Sequence, residues 1–413
     1  MEKIMDDNWS RGVETTVEKA LDQIPYIGEF LSAIVQIFWP QTKQDVWSEI
    51  KDRVEDLLNS KLSAAAFNRV QASLGTVALG DGLYGVVADY TGSVDKLSPN
   101  GQDPQSTWTA ANIYFIGASA AFQQQGDEIL LLPLYAQMAN LHLGLLRDGV
   151  LGKFCNLNEL QTHLNNYGAY VDKWVAAAIA ASITKATSQN GTVAFNPVNK
   201  VKRFMQLNVL NFRELWKYFD PVKYPGPISF ITPRTEVFYA ATEIFNNPTY
   251  GTHLNPPGAP TLVDLASIDL FVQWDDPSSL ATVLGADSSY QDGTTTPYSG
   301  TLYLNQPPPK VPPPQNKYNG SINLYYQGVK VPSTNPIVAV DGQYDSTGGV
   351  YYVNFTFQDK TQTGQIPTLG ATHYPNVFQF APPEGYFLSS VSMNAGGWYY
   401  SASDAIFGFR KSQ

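Results

Sequence analysis

The hydrophobic and polar positions along residues 1–218 follow the period of an α-helix. In residues 42–62, apolar side chains recur three or four positions apart, while Lys, Asp and Glu occupy the opposite face. A second apolar stripe covers residues 21–38, and Asn156 followed by Glu159 is typical of a helix start. The pattern predicts an N-terminal bundle of about seven helices, within a range of six to eight.

The pattern changes after residue 218, where short runs of β-branched and aromatic residues alternate with turn residues. Between such runs, Asp341 followed by Gly342 is typical of a tight turn. A segment rich in Asn and Pro, residues 246–260, separates the two patterns. We therefore expect a multidomain α and β protein, with the helical bundle at residues 1–250 and a C-terminal antiparallel β-sandwich at residues 251–413.

Two long stretches of the helical part contain no charged residue. They are residues 104–126 and residues 129–146, and only Asp127 and Glu128 separate them. Eighteen helical residues span roughly 27 Å, close to the hydrocarbon core of a bilayer at about 30 Å. Gln, Asn, Ser and Thr dilute both stretches, so neither is predicted to be a permanent transmembrane span. The pair predicts a helical hairpin, residues 107–146, that is buried in a bundle and can move into a membrane.

The second stretch is predicted to be the central helix of the bundle, with Pro133 in its first turn. It is apolar on most faces, which is typical of a helix surrounded by other helices. One polar stripe crosses it, made of Gln137, Asn140, Gly144 and, beyond the stretch, Arg147 and Asp148. An ordinary core helix explains this stretch equally well, but it leaves the uncharged and more polar first stretch unexplained.

The charge balance limits the classes of partner. With 36 acidic and 26 basic residues, the chain has a net charge of −10. A nucleic-acid partner is not expected, because phosphate binding needs a basic face. Cys155 is the single cysteine, which excludes a framework of internal disulfides. The first thirty residues show no basic segment followed by an apolar one, so we expect synthesis in the cytoplasm without a visible signal peptide.

Motifs for catalysis, metal binding and cofactor binding are not found in the sequence. Gly117-Ala118-Ser119-Ala120 lacks the second glycine of a nucleophile elbow, and no phosphate-binding or dinucleotide-binding glycine motif occurs. The four histidines lie far apart in the sequence, and His142 is expected to be a hydrogen-bonded core residue. We therefore expect no catalytic residues, no metal and no cofactor, and a protein that is not an enzyme.

Adjacent aromatic residues in the C-terminal part are weak candidates for receptor or sugar binding. Trp398, Tyr399 and Tyr400 form the longest such run. Strand alternation directs one ring of each adjacent pair into the core, so core packing explains at least half of these rings.

One block of sequence is long enough to identify a family. The run LLPLYAQMANLHL at residues 131–143, closed by LLRD at residues 145–148, resembles the central-helix block of the insecticidal δ-endotoxins, the three-domain Cry toxins. Residues 47–62, 208–225 and 235–248 resemble further blocks of that family. The resemblance covers roughly residues 40–250 and implies a pore-forming helical domain.

The remaining residues are too few for the two further domains of a Cry toxin and suffice for one β domain. This organisation resembles the B subunit of the Pir-type binary insecticidal toxins, whose A subunit is a separate small β-protein. The resemblance implies a bacterial toxin subunit that is released or secreted, binds such a partner, and acts at a host cell membrane through a receptor, which could be a glycan. It also implies oligomers in the pore state. The residues expected to enter the membrane are Trp108, Ile113, Phe115, Asp127, Glu128, Leu132, Leu134, Tyr135, Gln137, Asn140, Leu141 and Leu143.

A second interpretation stays open at this point. The chain is then a carbohydrate-binding or receptor-binding module whose helical bundle is purely structural. Release of dye from lipid vesicles distinguishes the two interpretations, because only the pore-forming protein permeabilises a bilayer.

Overall fold

The protein is represented by a computed structural model, which describes most of the chain between Val46 and Lys411. The residues that it describes are 31, 46–58, 60–76, 79–95, 100–189, 191–225, 236–241, 244–245, 256, 258–274, 282–297, 299–300, 316–318, 322–344, 349–367, 376–382, 385–395 and 402–411.

The described helices follow one another from residue 46 to residue 219. They are α1 (Val46–Leu58), α2 (Ala64–Leu74), α3 (Gly82–Val94), α4 (Pro104–Ala118), α5 (Glu128–Gly152), α6 (Leu157–Ala186), α7 (Phe195–Met205) and α8 (Asn211–Leu215). The last helical part of the chain, from Phe195 to Phe219, is irregular. A π-helical segment, Gln206–Leu210, joins α7 to α8, and a 3-10 turn, Trp216–Phe219, ends the bundle.

The helical core is built around α5. All twenty residues from Leu130 to Gly149 are buried, so this helix has no solvent-facing side along that length. Side chains of α1, α2, α3, α4 and α6 belong to the same hydrophobic cluster. The predicted helix start at Asn156 is confirmed, because its side-chain oxygen accepts a hydrogen bond from the Glu159 amide at 2.9 Å.

The second half of the chain consists of strands and loops. The described strands are β1 (Thr192–Val193), β2 (Val237–Ala240), β3 (Ile244–Phe245), β4 (Leu265–Trp274), β5 (Thr282–Tyr290), β6 (Ser299–Gly300), β7 (Asn316–Tyr318), β8 (Ile322–Lys330), β9 (Ile337–Tyr344), β10 (Val350–Phe357), β11 (Asn376–Phe380), β12 (Tyr386–Ala395) and β13 (Ala402–Lys411).

Every strand pair in the described part of the chain is antiparallel, which confirms the predicted strand arrangement. Five strands form one sheet in the order β6-β5-β4-β8-β7. Two three-stranded sheets follow the orders β10-β9-β11 and β12-β13-β2, and β1 pairs with β3. One cluster of buried residues, including Ile268, Val340 and Phe407, takes side chains from all three larger sheets. The β region is therefore a three-sheet arrangement around one core.

The contacts within the chain define two compact units. Among the described residues, the helical unit takes those between 31 and 182 and between 200 and 225, and the β unit takes those between 183 and 199 and between 236 and 411. The domain boundary expected after residue 250 stays a prediction. When the chain is divided by its contacts, β2 belongs to the β unit, because it pairs with β13.

Candidate membrane-inserting hairpin

The predicted hairpin, residues 107–146, consists of most of α4, a tip at residues 123–127 and most of α5. Helix α4 begins with Pro104 at its first position. The Asp103 carboxylate caps the helix by accepting a hydrogen bond from the Ser106 amide at 2.8 Å. A 3-10 turn, Ser119–Phe122, follows α4, so the chain reverses direction within a few residues.

The inner face of α4 packs directly on α5. The indole Nε1 of Trp108 donates a hydrogen bond to the Leu145 carbonyl oxygen at 2.7 Å. Gly149 leaves room for that indole, since a Cβ atom at this position would lie 2.5 Å from a ring carbon. The ring of Phe115 stacks on His142 with 4.9 Å between ring centroids. The contacts of Trp108 with Leu145 and of Phe115 with His142 lie within the hairpin, so they persist if its two helices move as one body.

The outer face of α4 is exposed and uncharged. Ile113 is 66% exposed and Ile116 is 50% exposed, and Thr109, Ala110 and Gly117 are exposed beside them. The expectation that the bundle hides the hairpin is therefore wrong for Ile113. Periodicity does not reveal this face, because α4 has no charged residue to mark its exposed side.

Helix α5 has the environment that the sequence predicts. Leu132, Leu134, Leu141 and Leu143 are fully buried, and Tyr135 is 2% exposed. Among the described helices, α5 is the one whose length and composition would allow it to cross a membrane. Its most apolar segment of 18 residues is 94% buried. A core helix of a water-soluble protein passes the same test, so this feature alone does not distinguish the two roles.

Pro133 lies farther into α5 than expected. The helix begins at Glu128, so Pro133 is beyond the first turn and inside the helix. Proline has no amide hydrogen, which leaves the Ile129 carbonyl without its usual partner in the helix. The ladder of hydrogen bonds in α5 is therefore interrupted once near the start of the helix.

The polar stripe of α5 is buried. The side-chain oxygen of Asn140 accepts a hydrogen bond from the Trp216 indole at 2.6 Å, and its amide group donates to Gln137 at 2.9 Å. The amide nitrogen of Gln137 and all three side-chain nitrogens of Arg147 have no hydrogen-bond partner among the residues that the structure describes. Burial lowers the pKa of Arg147, and the charge of Asp148 opposes this shift. The stripe thus carries unused hydrogen-bonding capacity in the folded bundle.

A chain of hydrogen bonds links α4, α5 and α6. The amide group of Asn112 donates to the Glu159 carboxylate at 2.9 Å, and its oxygen lies 2.8 Å from Nε2 of His142. Nδ1 of His142 lies 2.5 Å from the Tyr167 hydroxyl. The ring of His163 is 4.8 Å from that of His142, centroid to centroid. His142 is thus a hydrogen-bonded core residue, as expected.

The histidine pair is a feature that the sequence reasoning missed. His142 and His163 are twenty-one positions apart, and only the packing of α5 on α6 brings them together. The sequence did contain one sign: Glu159, His163 and Tyr167 are spaced by four residues, which puts them on one face of a helix. Burial lowers the pKa of His142 well below its usual value, and His163 adds to this effect.

The tip of the hairpin is not a fully exposed turn. Asp127 and Glu128 are both partly buried, and Glu128 is the first residue of α5. Its carboxylate accepts a hydrogen bond from the Gly126 amide at 2.8 Å. Gln124 attaches the tip to α2, because its amide group donates to the Ala66 carbonyl at 3.1 Å.

Two further expectations concern residues outside this site. The weak sugar-binding candidates Trp398, Tyr399 and Tyr400 lie outside the described residues. Within the part of the chain that the structure describes, no group of three His, Cys, Asp or Glu side chains is arranged to hold a metal ion. The prediction that the protein is not an enzyme stays a prediction.

Comparison with known families identifies the helical part. Residues 16–220 match the family model of the delta endotoxin N-terminal domain. This segment is a delta endotoxin N-terminal domain. The match includes α4, the tip and α5, so the hairpin lies entirely within this domain.

Curated relatives agree with this assignment. Pesticidal crystal protein Cry1Id of Bacillus thuringiensis is 31% identical over 225 residues, which are 50% of this chain and 30% of the relative. Pesticidal crystal protein Cry19Ba of Bacillus thuringiensis subsp. higo is 28% identical over 245 residues, which are 57% of this chain and 35% of the relative. The chain spans about a third of the length of the curated relatives that it matches.

Solved structures extend the similarity beyond the delta endotoxin N-terminal domain. The crystal structure of Bacillus thuringiensis Cry7Ca1 covers 98% of this chain with a TM-score of 0.67 and 16% identity, and the match covers 75% of that protein. The crystal structure of PirB covers 99% of this chain with a TM-score of 0.63 and 16% identity, and the match covers 95% of PirB. These similarities confirm the predicted fold, a helical bundle followed by β structure.

Proposed function

We propose that this chain is the pore-forming subunit of a bacterial binary insecticidal toxin, and that its hairpin enters the membrane of a target cell. The observation that carries the proposal is α5. It is an apolar helix of twenty-five residues, buried from Leu130 to Gly149, within a delta endotoxin N-terminal domain. A short tip joins it to the uncharged helix α4. At about 1.5 Å per residue, such a helix is long enough to cross a bilayer.

The internal contacts of the hairpin support this proposal. Trp108 and Phe115 bind α4 to α5, so the two helices leave the bundle as one body. Apart from the Ile129 carbonyl opposite Pro133, the backbone groups inside each helix are satisfied by the helix itself, which a membrane requires. In the membrane, Gln137 and Asn140 line a pore formed by several copies of the chain. This also gives the unpaired amide of Gln137 a partner, either water or a neighbouring copy.

The β unit supplies the attachment to the target. It docks a receptor, a small β-protein partner of the A type, or both. The similarity to PirB over 95% of that protein's length supports a two-subunit arrangement. Trp398, Tyr399 and Tyr400 are the candidate receptor-binding or sugar-binding residues. The protein is made in the bacterial cytoplasm, is released or secreted, and acts at the host cell membrane.

A reversible lock on the hairpin tests pore formation. The hydroxyl oxygens of Ser93 on α3 and Thr107 on α4 lie 2.8 Å apart. Cysteines at these two positions would place their sulfur atoms near the 2.05 Å of a disulfide bond after a small adjustment. In a Cys155→Ser background, oxidised Ser93→Cys/Thr107→Cys protein should release little dye from vesicles, and reduction should restore release.

The two single-cysteine variants are the matched controls, because the same oxidation cannot form the bond between α3 and α4. They should release dye like the Cys155→Ser protein under both conditions. Equal dye release by the oxidised and reduced double variant would contradict the movement of the hairpin. No release by the Cys155→Ser protein under either condition would favour the alternative, a receptor-binding or carbohydrate-binding module with a purely structural bundle.

The partner is tested separately. The purified chain alone should be weakly toxic, because the partner supplies part of the function. It should also bind a small β-protein of the A type with an affinity that size-exclusion chromatography or calorimetry detects. Full potency of the chain alone would exclude the binary arrangement and leave pore formation intact.

A further inference from the structure

Two histidines lie where the hairpin meets the rest of the bundle. His142 belongs to α5 within the hairpin, and His163 belongs to α6 outside it. Their rings are in edge-to-face contact at 4.8 Å. His142 is fully buried, and His163 is half-buried. Two like charges at this distance in a poorly hydrated site repel each other, so the folded bundle favours neutral rings.

The hydrogen bonds around His142 select one neutral form. Asn112 donates its amide hydrogen to Glu159, so its side-chain oxygen faces Nε2 of His142 and must accept from it. Nδ1 then carries no hydrogen and accepts from the Tyr167 hydroxyl. A proton added to Nδ1 would reverse this bond, because the Tyr167 hydroxyl would have to accept it and turn its own hydrogen away. Protonation therefore replaces the neutral link between α5 and α6 with one that holds a charge in a buried site.

We propose that His142 and His163 form an acid-sensitive latch that holds the hairpin against α6 at neutral pH and releases it when the rings are protonated. The latch itself is a property of the folded bundle. Only its consequence for membranes rests on the function proposed above.

The charged and titratable groups around the pair support release in acid. Among the described residues, α4 contributes the neutral Asn112 and Phe115, and α6 contributes Glu159 and Tyr167. Glu159 is one helical turn before His163, so a protonated His163 attracts its carboxylate. That attraction competes with the bond from Asn112 to Glu159. Protonation of His163 therefore weakens the link between α4 and α6 as well.

The direction of the pH effect follows from burial. Burial lowers the pKa of both histidines in the folded protein, and the charge of Glu159 only partly opposes this for His163. In the opened chain the pKa of each ring is about 6.5. The opened state therefore binds more protons, and the latch is fully stable above about pH 6.5 and weakens as the pH falls below it.

Hydrogen–deuterium exchange measures the latch without a membrane. Exchange of α4 and α5 peptides in the full chain, corrected for the chemical rate at each pH, reports the opening of the hairpin. For each histidine that stays neutral in the bundle at pH 5.0, the equilibrium constant for opening rises by up to about 30-fold between pH 7.5 and pH 5.0. The His253→Gln/His373→Gln protein, which keeps only the proposed pair, should show the full shift.

Variants of the pair give the opposite result. His163→Gln should show a clearly smaller shift, and His142→Gln/His163→Gln should show none. An unchanged shift in the double variant would overturn the proposal. If that variant does not fold, His163→Gln decides, because a shift as large as that of the wild type would overturn the paired latch.

Dye release from vesicles at pH 7.5 and 5.0 then separates the latch from the proposed function. Faster release at pH 5.0 that requires the pair supports both. A pair-dependent shift in exchange with no release at either pH would remove the pore-forming function and leave the latch in place.

Discussion

Helices α4 and α5 have the same unusual composition and opposite environments. Neither α4 nor residues 129–146 of α5 contain a charged side chain. Helix α5 is buried on every side from Leu130 to Gly149, whereas α4 leaves Ile113 and Ile116 open to solvent. Burial explains the absence of charge in α5. It does not explain α4, because folding tolerates charges on an exposed helix face. The uncharged outer face of α4 is therefore the part of the hairpin whose composition needs a reason outside the folded bundle.

The largest expected difference in stability comes from introducing a carboxylate into each helix. Leu141→Asp should destabilise the helical unit by on the order of 4 kcal/mol, because it buries an unpaired carboxylate. Ile113→Asp should change stability by no more than about 0.5 kcal/mol, because this side chain is 66% exposed. Urea denaturation followed by circular dichroism measures both. A near-native midpoint for Leu141→Asp, or for Leu143→Asp as a repeat, would show that α5 is not central.

Adding one methyl group at a glycine of each helix tests the same comparison with smaller expected changes in stability. Gly149→Ala should cost about 1–3 kcal/mol, because its Cβ would lie 2.5 Å from the Trp108 ring, which is held by its bond to the Leu145 carbonyl. Gly117→Ala should stabilise the protein by up to about 1 kcal/mol, because a Cβ there has open space and alanine favours the helix. Thermal unfolding measures both changes in stability, a decrease for Gly149→Ala and an increase for Gly117→Ala. A stable Gly149→Ala protein would mean that α4 and α5 do not pack as closely as the structure shows.

The sequence predicted much of this comparison from composition alone. A long run of leucines with few polar residues predicts a buried helix in any bundle, so the central position of α5 was predictable. The helix start at Asn156 was predictable because capping is local. The exposed face of α4 was not, since polar periodicity reveals an exposed side only where charges mark it. Pro133 was misplaced because the start of α5 depends on the turn before it.

The candidate site depended more on tertiary packing. The sequence identified Gln137 and Asn140 as a stripe, but the contact of Asn140 with Trp216 joins residues seventy-six positions apart. The pairing of His142 with His163 likewise depends on how two helices cross. The pattern of a single sequence shows which face of a helix is buried. It does not show which other helix packs against that face.

The smallest expected effect on stability, and the sharpest on insertion, lies at the tip where α4 and α5 meet. Asp127→Asn with Glu128→Gln should change stability by no more than about 0.5 kcal/mol, because both side chains are partly exposed and glutamine can still accept the Gly126 hydrogen bond. A charge at the bilayer centre costs about 2.5–3.5 kcal/mol, so these variants should speed insertion at neutral pH if the tip crosses.

The pH dependence of dye release separates this tip effect from the histidine latch. The latch acts below about pH 6.5, so release at pH 7.5 reports the tip alone. Asp127→Asn/Glu128→Gln should release dye faster than the wild type at pH 7.5 and should keep the acceleration at pH 5.0. Lysines at both positions should be no faster than the wild type at pH 7.5, since they keep two charges at the tip. With circular dichroism confirming folded protein, identical curves at pH 7.5 for all three would mean that the tip never crosses, and α4 and α5 would then have to act without passing their connection through the bilayer.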